Sequence, residues 1–106
     1  MLALGTWMGN MQEFHHVITD PEGLHARSAV IIANEAGKWR SLVKIARMPD
    51  DTPGSEREVG PFVEAKSLMA LMALNANSGD TVVVCCDGPD ERAASSAMQA
   101  VMRTNL

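Results

Sequence analysis

Apolar and polar residues recur along this chain with two different periods, and the two periods predict seven elements of secondary structure. Short runs rich in β-branched and apolar residues predict four strands. The predicted strands span residues 14–19, 41–46, 62–65 and 81–86. Apolar residues at helical spacing predict helices at 26–36 and 68–74, and residues 87–91 open a third. The element order is therefore βαββαβα.

Residues typical of helix ends flank the predicted helices. Gly37 is expected to end the first helix, and Ser67 stands at the N-cap position of the second. Pro89 and acidic residues are expected in the first turn of the third helix. The positions predicted to face the core are Ala29, Ile32, Ala33 and Ala36 in the first helix and Ala94, Met98, Val101 and Met102 in the third.

Strands that alternate with helices in so short a chain predict an α+β fold with one antiparallel sheet and its helices on one face. The opposite face is expected to be partly solvated, because Lys44, Glu64 and Thr81 lie within predicted strands.

Two segments are expected to lie outside this compact arrangement. Residues 1–11 are interpreted as a poorly ordered N-terminal extension, which leaves residues 12–106 as the domain. Within the domain, residues 48–61 contain three prolines and two glycines and therefore predict a long loop.

Length, charge and hydropathy narrow the class of protein. A chain of 106 residues is expected to form one domain, too short for an enzyme with a deep interdomain cleft. The net charge is -4 and the nine basic residues are scattered, so we expect no nucleic-acid binding. No apolar run approaches the roughly eighteen residues of a membrane span. Cys85 and Cys86 are adjacent on a predicted strand and point to opposite faces, which predicts free thiols and a cytoplasmic location.

The most informative stretch for chemistry runs from Gly23 to Ala29. His25 falls between a glycine turn and the first helical residue, where Ser, Thr, Asp or Asn is the usual cap. The free N–H groups and the positive dipole end of a helix N-terminus bind anions. Arg27 adds a planar cation two residues later. A nucleophile, an anion-binding helix end and a cation so close together suit reversible phosphoryl transfer, although spacing alone also allows His25 to be an incidental cap.

Two blocks of sequence resemble the HPr family, the histidine phosphocarriers of the bacterial sugar phosphotransferase system. Gly23-Leu24-His25-Ala26-Arg27 resembles the active-site signature of that family. Residues 65–74 resemble its helix segment with the regulatory-serine motif, which places Ser67 at the regulatory position. The resemblance covers roughly residues 14–103.

The resemblance implies an open-faced β-sandwich with strand order 1-4-2-3 and three helices on one face. It also implies phosphorylation of the δ nitrogen of His25, a supporting role for Arg27, and phosphate binding by the backbone N–H groups of Ala26, Arg27 and Ser28. The implied partners are a phosphoenolpyruvate-dependent donor kinase similar to enzyme I and an acceptor similar to enzyme IIA. We expect a monomeric carrier intermediate, not a free-standing catalyst, that holds no cofactor and no metal.

The chain departs from the family pattern at two places. Ser28 stands where the signature normally has proline, and its hydroxyl is expected either to bond the phosphate or to cap the turn. The loop at 48–61 is longer than the usual connection between the second and third strands. These departures keep open an alternative function, an HPr-like regulatory binding protein that signals through phospho-Ser67.

Apolar residues of the first two helices that lie outside the predicted core positions predict a docking surface. Leu68, Leu71 and Leu74 are expected to share a core-facing side of the second helix, with Met69 projecting outward. If the two helices cover the same face, residues of both form an apolar patch beside His25; simple overflow of the core is the alternative. The predicted partner-binding residues are Val30, Ile31, Leu68 and Met69.

The other candidate functional residues give weaker indications of a metal, regulatory or catalytic site. His15 and His16 are neighbours on a strand, which is poor geometry for a metal site, so ordinary strand residues are expected. Ser67 has two interpretations, an N-cap alone or a target of a serine kinase and phosphorylase. No paired carboxylates or nucleophile–base set point to a hydrolytic enzyme.

Overall fold

The computed structural model describes residues 11–48 and 60–106 and places seven elements there in the predicted order. The strands are β1 (Gln12–Val17), β2 (Leu42–Arg47), β3 (Val63–Glu64) and β4 (Thr81–Asp87). The helices are α1 (Ala26–Gly37), α2 (Leu68–Ala73) and α3 (Glu91–Asn105). The predicted extension, apart from Met11, and the predicted loop, apart from Met48, Gly60 and Pro61, lie outside the described residues.

The four strands form one antiparallel sheet in the order β1-β4-β2-β3. Strand β4 is central, with Val84 opposite Phe14 of β1 and opposite Ile45 of β2. Strand β3 adds a short pairing at the edge, with Glu64 opposite Lys44. The predicted fold class and strand order are confirmed.

The core lies between the sheet and the helices. Val82, Val84 and Cys86 alternate along β4 and are fully buried against the helices. The predicted core positions of α1 and α3 belong to the same cluster, with Ala33 and Val101 at its partly buried edge. On the opposite face Lys44 and Glu64 are exposed and Thr81 is partly exposed, as expected for an open-faced sheet.

Three local expectations were wrong. Strand β1 ends at Val17 instead of residue 19, because the backbone N–H of Thr19 donates to the carbonyl oxygen of Leu106 at 2.7 Å. Pro89 precedes the N-cap of α3, which is Asp90, so it lies outside the first turn.

Leu68 is the third correction. It is 40% exposed, whereas Leu71 and Leu74 are buried. Each three-residue step falls about 60° short of a full helical turn, so Leu68 is rotated away from the side that Leu74 faces.

Candidate functional site

His25 is the N-cap residue of α1, as the sequence predicts. Its backbone is extended, with φ -113° and ψ 176°, while its carbonyl oxygen accepts the first helical hydrogen bond from Ala29 at 2.8 Å. The side chain is 24% exposed. Backbone N–H groups in the first turn of a helix have no intrahelical acceptor. An anion on the ring would therefore meet free donors and the positive end of the helix dipole.

Ser28 closes the first turn of α1 around the backbone of His25. The His25 backbone N–H donates to the Ser28 hydroxyl at 3.1 Å, and the hydroxyl donates to the His25 carbonyl oxygen at 3.0 Å. In return, the backbone N–H of Ser28 faces the His25 ring in the reciprocal arrangement of a capping box, without a full hydrogen bond. Ser28 as a whole is 2% exposed. Of the two roles expected for this hydroxyl, the structure supports capping.

The turn that precedes His25 requires glycine. Gly23 has φ +68°, and a Cβ at that position would lie 2.7 Å from the carbonyl oxygen of Ala76. The backbone N–H of Gly23 donates to the carbonyl oxygen of Asp20, and that of Leu24 donates to the carbonyl oxygen of Ala76, both at 2.9 Å. The turn is thus fastened to the segment that follows α2, and it holds His25 at the start of α1.

Asp20 contacts the ring of His25, a relationship that sequence reasoning missed. Asp20 Oδ2 lies 3.4 Å from His25 Nε2, and Asp20 Oδ1 accepts a hydrogen bond from the Glu22 backbone N–H at 2.8 Å. This backbone hydrogen bond is the main cause that lowers the pKa of the Asp20 carboxyl, with further contributions from His25 and Arg27. Asp20 is therefore an anion at neutral pH. The sequence showed this residue only as part of a turn signal.

An open cleft of about 280 Å³ lies in front of the His25 ring. Asp20, Arg27 and Ile31 line it together with the last turn of α3, which contributes Thr104 and Asn105. The Arg27 side chain is exposed. The Thr104 hydroxyl and the Asn105 amide donate to carbonyl oxygens of their own helix at 3.0 and 2.8 Å.

The cleft therefore suits a group carried on the ring, with the Arg27 cation beside it. Sequence reasoning also missed the α3 residues. No local pattern marks a contact between residues so far apart in the chain.

Within the part of the chain that the structure describes, one set of side chains is close enough to share a metal ion. Donor atoms of Asp20, Glu22 and His25 lie within 4.8 Å of one another. Asp20 already accepts the Glu22 backbone hydrogen bond and contacts the His25 ring. We interpret the three residues as the electrostatic surroundings of His25.

The predicted docking residues lie on α1 and α2, which pack against each other. Met69 is 82% exposed, and Val30 and Leu68 are about 40% exposed. Ile31 is half-buried and lines the cleft beside His25. Val30, Leu68 and Met69 thus leave apolar area exposed on α1 and α2, and its use for docking stays a prediction.

Ser67 is the N-cap of α2, as predicted. Its side-chain oxygen accepts a hydrogen bond from the backbone N–H of Ala70 at 3.2 Å. This hydrogen bond gives the hydroxyl a structural role, and Ser67 is also partly exposed.

The two histidines of β1 lie on opposite faces of the sheet. His15 is exposed and pairs with Glu13 at 3.3 Å. His16 is half-buried on the helix side, where burial is the main cause that lowers its pKa. Neither histidine lies in the cleft at His25.

The two cysteines are free. Cys86 is fully buried, and burial raises the pKa of its thiol to about 11; burial also raises the pKa of Cys85. Both thiols are therefore weak nucleophiles at neutral pH. No helix among the described residues is long and apolar enough to span a membrane.

Comparison with known proteins places the chain in a family. Residues 12–104 match the family model described as PTS HPr component phosphorylation site. The chain is 36% identical over 95 residues to the phosphocarrier protein HPr of Mycoplasma genitalium. The aligned stretch covers 90% of this chain and 97% of that protein.

Two further comparisons agree. The chain is 30% identical over 89 residues to the multiphosphoryl transfer protein of Vibrio cholerae. The aligned stretch covers 84% of this chain and 20% of that protein. A solved structure of a Mycoplasma histidine-containing phosphocarrier protein superposes with a TM-score of 0.73 at 30% identity. That superposition covers 88% of this chain and 93% of the other.

Proposed function

This chain belongs to the HPr family of phosphocarrier proteins of the phosphotransferase system, and from that premise we propose that it carries its phosphoryl group on His25. The observation that supports this site is the position of the ring at the N-terminal end of α1, in an open cleft and next to Arg27. As a member of this family the chain is a phosphorylated intermediate and not a free-standing catalyst.

In the proposed transfer a ring nitrogen of His25 attacks the phosphorus atom held by a donor protein. The new nitrogen–phosphorus bond forms while the bond from phosphorus to the donor breaks. The backbone N–H groups of Ala26, Arg27 and Ser28 would stabilise the phosphoryl oxygens, because donors at a helix N-terminus favour anions. The Arg27 guanidinium would supply a planar cation to the same oxygens. Transfer to the acceptor repeats these steps in reverse.

The carrier needs two successive partners that face the same ring. Membership of this family implies interaction with the enzyme I and enzyme IIA proteins of the phosphotransferase system. We propose that both dock on the apolar surface of α1 and α2, because Val30, Leu68 and Met69 are exposed there and Ile31 of the same surface lines the cleft. The proposed contact residues are Val30, Ile31, Leu68 and Met69. The two free thiols agree with a cytoplasmic location for this exchange.

A serine kinase and phosphorylase acting on Ser67 would add regulation to this carrier. The hydroxyl is partly exposed, and it lies beside Leu68 and Met69 of the docking surface. A phosphate there would add nearly two negative charges next to apolar contacts. The carrier remains the primary proposal, because no observation favours a protein that signals through Ser67 alone.

Successive transfer tests the carrier function. The protein is incubated with a phosphotransferase donor kinase and phosphoenolpyruvate, separated from both, and then mixed with an enzyme IIA-type acceptor. The proposal expects one phosphoryl group per chain that passes to the acceptor. A group that is acquired but never passes on would contradict the carrier role.

A further inference from the structure

We propose that Asp20 is a positioning residue that holds the His25 ring with hydrogen on Nε2, so that the lone pair on Nδ1 faces the N-terminus of α1. The proposal rests on phosphoryl transfer to His25 and names the residue that prepares the ring for it. It also explains from contacts in this chain why one ring nitrogen, and not the other, is the nucleophile.

The contact determines which ring nitrogen bears hydrogen. Asp20 Oδ2 lies 3.4 Å from His25 Nε2. An ionised carboxylate only accepts hydrogen bonds, and its neighbours keep Asp20 ionised at neutral pH. Nε2 must therefore be the donor, which leaves Nδ1 of the neutral ring with a lone pair.

The capping box is compatible with this tautomer. The backbone N–H of Ser28 faces the His25 ring from the helix side. A donor on that side favours an unprotonated nitrogen there, while the carboxylate on the other side favours N–H. The Asp20 contact selects the tautomer, and the Ser28 N–H, which makes no full hydrogen bond to the ring, is compatible with it.

Asp20 is held from several directions, so its contact with the ring is built into the fold. Its backbone N–H donates to the carbonyl oxygen of Leu106 at 2.9 Å, and its carbonyl oxygen accepts from Gly23 at 2.9 Å. Its Oδ1 accepts from the Glu22 backbone N–H at 2.8 Å. The side chains of Asp20 and His25 are only 28% and 24% exposed. Oδ2 is therefore the oxygen that remains for the ring.

The contact gains strength during the reaction. When Nδ1 attacks, the Nδ1–P bond forms and the bond from phosphorus to the donor atom breaks, with its electron pair leaving on that atom. Nε2 keeps its hydrogen, so the ring acquires a positive charge directly beside the Asp20 carboxylate. A separation of 3.4 Å is long for a hydrogen bond, and such contacts shorten as charge develops. The anion thus favours the transition state over the resting state.

Three variants separate this role from simple charge and from folding. Asp20→Ala removes the acceptor. Asp20→Asn keeps one oxygen for the turn, which guards against misfolding, but it turns an NH2 donor toward Nε2 and so removes both the acceptor and the charge. Glu22→Gln is the comparison variant for charge. It removes an equal charge from a carboxylate with an oxygen within 4.8 Å of a His25 ring nitrogen, but the His25 ring is hydrogen-bonded to Asp20 and not to Glu22.

The readouts are the rate of phosphoryl acceptance from the donor kinase and the ring nitrogen resonances of the ¹⁵N-labelled, unphosphorylated protein. The parent is expected to show hydrogen on Nε2, with a proton protected from exchange. Asp20→Ala should lose that protection and slow acceptance about tenfold, the size expected for one hydrogen bond to a charged group. Asp20→Asn should lose the protection and slow acceptance at least as much as Asp20→Ala, because it presents a donor to Nε2. Glu22→Gln removes a nearby charge without removing the acceptor, so it should keep the protection and slow acceptance much less than either Asp20 variant.

Hydrogen on Nδ1 in the parent, parent-like rates in both Asp20 variants, or equal slowing by Glu22→Gln and Asp20→Asn would each overturn the positioning role. Failure of the proposed function looks different. A parent that takes no phosphate on His25 would refute the carrier site, while its ring resonances would still report whether Asp20 sets the tautomer.

Discussion

The hydroxyl of Ser28 is hydrogen-bonded to both backbone polar groups of His25, accepting from the N–H at 3.1 Å and donating to the carbonyl oxygen at 3.0 Å. The family signature has proline at this position, which fixes the backbone of the first turn by its ring. Serine also restrains the first turn, because its hydroxyl makes two hydrogen bonds to the His25 backbone. The departure from the signature therefore replaces one constraint on His25 by another.

Removal of that constraint should weaken both the fold and the site. Ser28→Ala is expected to lower the free energy of unfolding by about 1 kcal/mol, because a partly buried N–H loses its acceptor. Ser96→Ala, at an exposed position of α3, is the matched control and should leave stability nearly unchanged. Denaturant unfolding measures both. Equal stability of parent and Ser28→Ala would show that the capping box contributes nothing.

Arg27 should affect transfer much more than stability. Its side chain is exposed beside the cleft, so Arg27→Ala should change the free energy of unfolding by no more than about 0.5 kcal/mol. The rate of phosphoryl exchange should fall about tenfold or more, because a cation beside the transferred group is lost. Arg92→Ala, an exposed arginine of α3, serves as the control. A sharp fall in melting temperature with unchanged exchange would make Arg27 a structural residue.

Gly23 should tolerate no side chain, whereas Gly37 should accept one. Gly23→Ala would place a Cβ 2.7 Å from the Ala76 carbonyl oxygen at φ +68°, so we expect a loss of about 2 kcal/mol or more. Gly37 ends α1, and a Cβ added there would meet no atom within 4 Å, so Gly37→Ala should stabilise the protein by about 0.5 kcal/mol. Thermal unfolding of the two variants checks the contrast. Equal effects would contradict the role assigned to the turn.

Local sequence signals were sufficient for the order of the seven elements and for the start of α1, whereas the strand order came from the resemblance to the family. Gly23 before His25 and an apolar stripe after it mark a turn and a helix, and both features depend on residues close together in the chain. Apolar alternation in β4 likewise predicts a buried central strand, because its period is set within the strand itself.

The surroundings of His25 were less predictable, because they depend on tertiary contacts. In the sequence, Asp20 is typical of a turn, and only the folded turn places its Oδ2 3.4 Å from His25 Nε2. Thr104 and Asn105 reach the cleft only when α3 packs beside α1. The exposure of Leu68 has a different, local origin, because its spacing from Leu74 in the helix rotates it away from the buried side.

Two substitutions of Ser67 distinguish its capping role from a regulatory role. Ser67→Ala should cost about 1 kcal/mol, because the Ala70 N–H loses its acceptor. Ser67→Asp keeps an N-cap acceptor and should be as stable as the parent, but its charge beside Leu68 and Met69 should slow phosphoryl acceptance at His25. Ser96→Asp adds the same charge away from the docking surface and controls for net charge. Equal acceptance rates for the parent, Ser67→Asp and genuinely Ser67-phosphorylated protein would leave Ser67 with capping alone.

His25 is expected to receive the phosphoryl group, in preference to the two other histidines of the chain. A phosphoryl group on histidine nitrogen is labile to acid and stable to base, which distinguishes it from phosphoserine. The most direct measurement is the acid-labile phosphate acquired by His15→Ala, His16→Ala and His25→Ala after incubation with the donor kinase and phosphoenolpyruvate, with folding checked by thermal unfolding. Folded His15→Ala and His16→Ala should acquire as much as the parent, and folded His25→Ala should acquire none. An acid-labile adduct at parent level on His25→Ala would contradict the account.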